Sequence, residues 1–311
     1  MINSAIKFPI QPVMIREIFV VQNIKISETL KLSKGVNLSP FEMVKDEVIA
    51  HGELTLGQYL SKSDPDNQSL VILFEDSARK ITSFNPNEWL PSESVPEVHA
   101  ERKKVFSAIL NASDLNPVIQ NQVLDLPGMT ANKVSLDQRM AYVLKDVYHF
   151  FGQLGVRAPI QIKSIPVALI KERYDMVRKL SKHDYAAYEV AQSRLANAKI
   201  KRDAVDAAID TGIAAEVIFL HGEKGAGAKG ELRYKIANRA AWFLGQNSEE
   251  RKVIAKICRK GYDARSSAAH TGLISPKKRT DSKAFAKVCD DALKKVLNEA
   301  GIPKDWNEII F

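Results

Sequence analysis

From Val167 to Glu299 apolar residues recur three and four positions apart with little interruption, and that period commits the second half of the chain to helix. Val167–Leu180 and Tyr185–Lys201 both follow it. In Ala204–Leu220 one face carries Val205, Ala208, Ile209, Gly212, Ile213, Glu216, Val217 and Leu220. Leu232–Leu244 stops at Gly245, and a long helix runs from the Ser248-Glu-Glu-Arg cap to about His270, ended by Gly272. Ser282–Glu299 is closed by Gly301 and Pro303. Four helices joined by short connections after Asp203 describe an antiparallel bundle.

The first half reads differently. Val13–Val21, Ile24–Leu30 and Leu70–Phe74 are rich in Ile, Val and Phe and are bounded by polar clusters such as Asp64-Pro-Asp-Asn67, so residues 1–90 are expected to be β-rich. Linker-like composition at Asn85-Pro-Asn87 and Pro91–Pro96 gives way to helical periodicity over 97–155: Val98–Ala112, Asn116–Leu126, and Leu136–Leu154 behind a Ser135/Gln138 capping box. Two prolines within Val156–Pro166 mark a boundary. The expected fold class is α+β, with a module over 1–165 followed by a helical domain over 166–311.

At 311 residues the chain has room for two domains. No segment approaches the roughly 18 apolar residues of a membrane span, and no basic region precedes an apolar stretch at the N-terminus. Cys258 and Cys289 are too few for a disulfide framework or a zinc site and suit small buried helix positions. A cytoplasmic protein with reduced thiols and without membrane, metal or cofactor is expected.

The formal net charge of +8 is concentrated in one place. Between Arg251 and Arg279 nine basic side chains face a single acid, Asp263, so this segment alone carries the excess. A localised basic stripe is the electrostatic footprint of a nucleic-acid binder, and Arg259, Lys260, Lys277, Lys278 and Arg279 are the expected backbone contacts for RNA. Within the stripe Arg265 and His270 stand five residues apart, separated only by small residues. An always-charged guanidinium and an imidazole that titrates near neutrality suit metal-free cleavage of an RNA phosphodiester. The spacing alone is near chance, since Arg178 and His183 repeat it among long charged residues. On a regular helix residues five apart diverge by roughly 140°. Arg265 and His270 therefore require a distorted or ended helix, or two copies meeting across a two-fold axis. His221–Gly230 is not a phosphate loop, because no Ser or Thr follows a Gly-Lys pair and the segment upstream reads as helix.

Asp210-Thr-Gly-Ile-Ala-Ala-Glu-Val-Ile218, Tyr234-Lys-Ile-Ala-Asn-Arg-Ala-Ala-Trp-Phe-Leu-Gly245, Ser248-Glu-Glu-Arg251 and Gly261-Tyr-Asp-Ala-Arg-Ser-Ser-Ala-Ala-His-Thr-Gly272 occur in that order. Together they resemble the Apea-like HEPN domain family, over about residues 183–311. The resemblance implies an all-helical bundle that dimerises, with an Arg-x4-6-His motif from each protomer lining a shared cleft. It also implies a metal-independent endoribonuclease, as in toxin, antiphage and RNA-processing systems, or a relative that has lost catalysis and serves as an RNA-binding or dimerisation module. Arg265 and His270 match the motif's two required positions, and Ser266 takes the polar position that follows the arginine. No resemblance is recognised in residues 1–165; sensing, binding of a regulatory partner or target selection is the expected role.

Overall fold

The computed structural model describes residues 14–21, 23–44, 70–77, 95–115, 119–125, 162–200, 203–221, 229–306 and 310. Among these the chain divides into two compact units, one running through Tyr174 and the other from Asp175 onward. Strands are confined to the first and the second is helical, so the coarse α+β reading holds.

Five strands of the first unit form an antiparallel sheet: β1 (Met14–Val21), β3 (Leu30–Ser33), β4 (Val36–Pro40), β5 (Leu70–Ser77) and β6 (Ile119–Asp125), in the order β3-β4-β5-β1-β6. The expected strand Ile24–Leu30 splits into β2 (Ile24–Lys25) and β3. β2 pairs in parallel with β7 (Lys163–Ser164). β3 and β4 make a tight hairpin at Gly35, whose φ of 74° is a left-handed value that costs glycine little. α1 (Val95–Ser113) opens with Pro96 in its first turn, where a missing N–H is harmless. Its Val105, Phe106, Ala108 and Ile109 are buried, and Phe106 meets Phe19 of β1 edge-on at 5.3 Å between ring centroids.

One expectation fails here. The helix expected over Asn116–Leu126 is instead β6, paired in antiparallel register with β1, Ile18 opposite Val123. Pro117 disfavours helical backbone at Asn116, and β1 offers Ile119–Asp125 a ladder that is interrupted only by a register shift between Val20 and Val21. Long-range pairing overrides local preference. The expected helix Leu136–Leu154, its Ser135/Gln138 cap and the Asp64–Asn67 turn lie outside the described residues.

The helical elements are α2 (Val167–Lys179), α3 (Lys182–Ile200), α4 (Ala204–Phe219), α5 (Lys229–Leu244), α6 (Ser248–Thr271) and α7 (Pro276–Asn298). Their starts follow side-chain caps. Asp203 Oδ1 accepts from the N–H of Val205 at 2.6 Å to open α4. Asn247, one residue before the expected cap, accepts from the N–H of Glu250 at 2.9 Å, and Glu250 reaches back to the N–H of Gln246 at 2.8 Å. α7 begins six residues before the expected Ser282, because Ser275 caps it and Pro276 supplies the preset φ of a first helical residue.

The core of this unit is lined by Tyr188, Leu195, Ile218, Phe219, Ile236, Phe243, Cys258, Phe285, Cys289, Val296 and Trp306, among others. α6 crosses α7 closely: a Cβ on Gly261 would stand 2.3 Å from Phe285 Cβ. Both thiols are buried here, and burial pushes Cys258 up to about 12 and Cys289 well above the usual thiol range. Among the described residues no helix is long and apolar enough to cross a membrane.

Candidate nucleic-acid site on the sixth helix

α6 runs without interruption from Ser248 to Thr271, so the segment holding Arg265, Ser266 and His270 is regular helix. Gly272 ends it with a φ of 63°, donating its N–H to Ala268 O at 3.1 Å. The helix therefore neither breaks nor distorts between Arg265 and His270, and within one chain the two side chains leave it in separate directions.

Arg265 turns inward beside α4. Its Nη2 lies 3.0 Å from Glu216 Oε1, and the same oxygen accepts from Tyr262 Oη at 2.8 Å. The guanidinium also sits 5.5 Å from the centroid of the Tyr262 ring. Gly212, one helical turn before Glu216, makes room for the stem, since a Cβ there would stand 2.2 Å from Arg265 Cγ. Arg265 and Glu216 each remain about one quarter exposed (26% and 27%), so the pair faces solvent at a rim rather than lying sealed in the core. Arg265 Nε is buried and makes no hydrogen bond among the described residues. Burial, with the Glu216 carboxylate as hydrogen-bond partner and neighbouring charge, raises the Tyr262 hydroxyl to about 12.

His270 lies in the last turn of α6, exposed and without a side-chain partner among the described residues. Ser266 is half-buried one turn earlier, and Arg259 lies two turns before that, so Arg259, Ser266 and His270 line one stripe of the helix. Ser267 accepts from Lys278 Nζ of α7, which ties Lys278 to the end of α6.

The basic stripe is only partly free. Arg251 is spent on structure, with its guanidinium 3.8 Å from the Trp242 ring centroid and its Nε bonded to Gly245 O at 3.1 Å. Asp263 is held by Arg233 through contacts of 2.7 and 2.8 Å, which removes the stripe's one negative charge from play. Lys260, Lys277 and Arg279 are exposed, Arg259 is half-buried, and none of the four has a side-chain partner among the described residues.

Of the residues singled out from sequence, Arg259, Ser266 and His270 share one stripe of α6, half-buried at the first two and exposed at His270, and Lys278 contacts the neighbouring Ser267. Arg265 belongs to a different cluster. Its partners Glu216 and Tyr262 were missed as site residues; Glu216, an acid among the apolar residues of one α4 face, is the signal that could have found the cluster. Compared with protein-family models, curated proteins and solved structures, the chain gives no match.

Proposed function

We propose that this chain is a homodimeric, metal-independent endoribonuclease of the HEPN type, acting as a toxin or antiphage effector. The observation that carries the reading is the regular α6, which leaves an unpartnered His270 on a cationic face while Arg265 is held at the rim by Glu216 and Tyr262. One protomer does not bring Arg265 and His270 to a common point, whereas two copies packed about a two-fold axis set the imidazole of one against the guanidinium of the other. His270 then takes the proton of a ribose 2′-OH, or returns one to the leaving 5′-oxygen, as the 2′-oxygen attacks phosphorus in line. Arg265 donates to the phosphoryl oxygens as negative charge builds there, and Ser266 lies beside His270 as a further donor. Arg259, Lys260, Lys277, Lys278 and Arg279 hold the RNA backbone. The first unit serves as the surface for a regulatory partner or for target selection.

The test is purified chain with RNA in chelator, followed by end-group analysis. Cleavage that leaves 2′,3′-cyclic phosphates, spares DNA and vanishes in Arg265→Ala and His270→Ala supports the reading. Equal rates in the double-alanine protein refute the site.

A second reading is a non-catalytic RNA-binding or dimerisation module. The Arg265–Glu216 ion pair favours it, because the guanidinium already has a carboxylate to neutralise. RNA retention in a gel shift without cleavage over hours selects it.

A further inference from the structure

At the far end of α4 from its cap, a second polar cluster forms that the ribonuclease reading does not use. His183 and Asp184 lie in the first turn of α3 and His221 follows the end of α4, and each offers one ligand atom, all within 4.8 Å of one another. Asp184 is buried, its side chain 5% exposed. Its Oδ2 accepts from Ser181 Oγ at 2.6 Å, and its N–H donates to the same hydroxyl at 3.1 Å, so the N-cap serine fixes the carboxylate. Oδ1 points the other way. It stands 3.4 Å from Nε2 of His221, whose side chain is 11% exposed; the carboxylate acts on the imidazole, yet the contact is too long and poorly aligned to satisfy either buried atom with a good hydrogen bond. The His183 and His221 rings lie 4.4 Å apart at the centroids, so two imidazoles and one oriented carboxylate oxygen converge.

A hydrogen-bonded His–Asp pair would leave neither atom unsatisfied, and a buried unsatisfied polar atom is costly. A cation between them resolves both. Metal–ligand bonds of about 2.0–2.1 Å to nitrogen and oxygen place tetrahedral ligands about 3.3–3.4 Å apart, the separation of Asp184 Oδ1 and His221 Nε2. His183 is exposed, and rotation of its side chain closes the remaining gap. We propose that His183, Asp184 and His221 form a site for a divalent transition cation of the zinc class, which ties the start of α3 to the end of α4. Two imidazoles select against magnesium and calcium, which take oxygen ligands. Ser181 orients the carboxylate from behind, as outer partners of metal ligands do. This goes beyond the cleavage reading and does not depend on it, since the cation here takes no part in attack on phosphorus.

The test is calorimetric titration of the full chain, stripped of metal, with zinc chloride, with magnesium chloride in parallel. One equivalent of zinc and no magnesium is expected, and the melting temperature of the helical unit should rise by about 5–10 °C at a hundredfold excess over Kd. His221→Gln and the exposed His183→Gln should each weaken zinc binding by at least about a hundredfold, while His270→Gln binds as the parent does. Cobalt substitution should give the visible absorption of a four-coordinate site. The proposal is overturned if zinc does not bind stoichiometrically, or if folded His183→Gln binds zinc like the parent. RNA cleavage stands or falls separately, because His183→Gln leaves Arg265 and His270 untouched.

Discussion

Two polar clusters lie along α4, one at Glu216 and one beyond its end at His221, and they settle their charges in opposite ways. At Glu216 the carboxylate meets a guanidinium at 3.0 Å and a tyrosine hydroxyl at 2.8 Å, so each group has a complementary partner supplied by α6. At His221 the Asp184 carboxylate is anchored through Oδ2 by a serine, while its Oδ1 stands 3.4 Å from an imidazole nitrogen in a poorly aligned contact. The first cluster pairs its charges within the chain, although Arg265 Nε keeps no hydrogen bond among the described residues, and its rim is open to solvent. The second is the one proposed above to take a cation. A paired polar group holds two helices in register, whereas buried ligands left unpaired mark a place for something else.

The sharpest way to break this contrast is to remove one member of the proposed chemistry. Arg265→Ala is expected to lower single-turnover RNA cleavage about 10²–10³-fold, and His270→Ala about 10²–10⁴-fold, with His183→Gln close to the parent rate. A His183→Gln rate as low as that of His270→Ala would merge the two clusters into one site.

Space comes next. Gly212→Ala drives a methyl into the Arg265 stem, while Gly261→Ala drives one into Phe285 within the core. Gly212→Ala should cut cleavage about tenfold with less than about 1 kcal/mol lost in urea unfolding, since the arginine stem can swing aside. Gly261→Ala should cost about 1–2 kcal/mol after its gain in helix propensity, and leave cleavage by the folded fraction unchanged. The reverse pattern would place Arg265 in the scaffold and not at the site.

Glu216→Gln keeps an acceptor for Tyr262 and loses the charge that holds Arg265. A drop of about 0.5–1.5 kcal/mol in unfolding free energy is expected. RNA binding at low salt should tighten, because one negative charge leaves the rim. The smallest effect belongs to Tyr262 itself. Its hydroxyl is held at about 12 against an ordinary 10, so the folded state prefers the neutral phenol. The resulting stability is fully present below pH 10 and is lost as pH rises from 10 through about 12. Ultraviolet titration of tyrosinate should show one late-ionising group that disappears in Tyr262→Phe.

Much of the helical unit was legible in the sequence because its elements announce themselves locally. Apolar spacing defined the helices of this unit, and Gly245, Gly272 and Gly301 marked where they end. The start of α7 was legible too, since Ser275-Pro276 is a cap followed by a first-turn proline, but the apolar period begins only near Ser282 and hid it. β6 was not legible, because its pairing depends on a strand about a hundred residues earlier and not on neighbours within reach of a helical turn. Arg265 and His270 stood out by residue type, and their divergence on a regular helix followed from the spacing, but whether the helix stays regular through them was not legible. Glu216 could be seen as an acid on an apolar face, but its partner could not. His221 follows the adjacent His183 and Asp184 by 38 and 37 residues around a helix hairpin, and only the approach of two helix ends brings them together.

β1 is flanked in the sheet by β5 and β6, whose residues follow it by about fifty and about a hundred positions. During synthesis one flank of β1 stays bare until residue 125 has left the ribosome, and an uncovered strand flank is a template for foreign chains. The sheet thus closes only when its last strand has emerged. Truncations that stop before Ile119 should aggregate, whereas a fragment beginning at Asp175, whose helices mostly meet their sequence neighbours, should fold quickly.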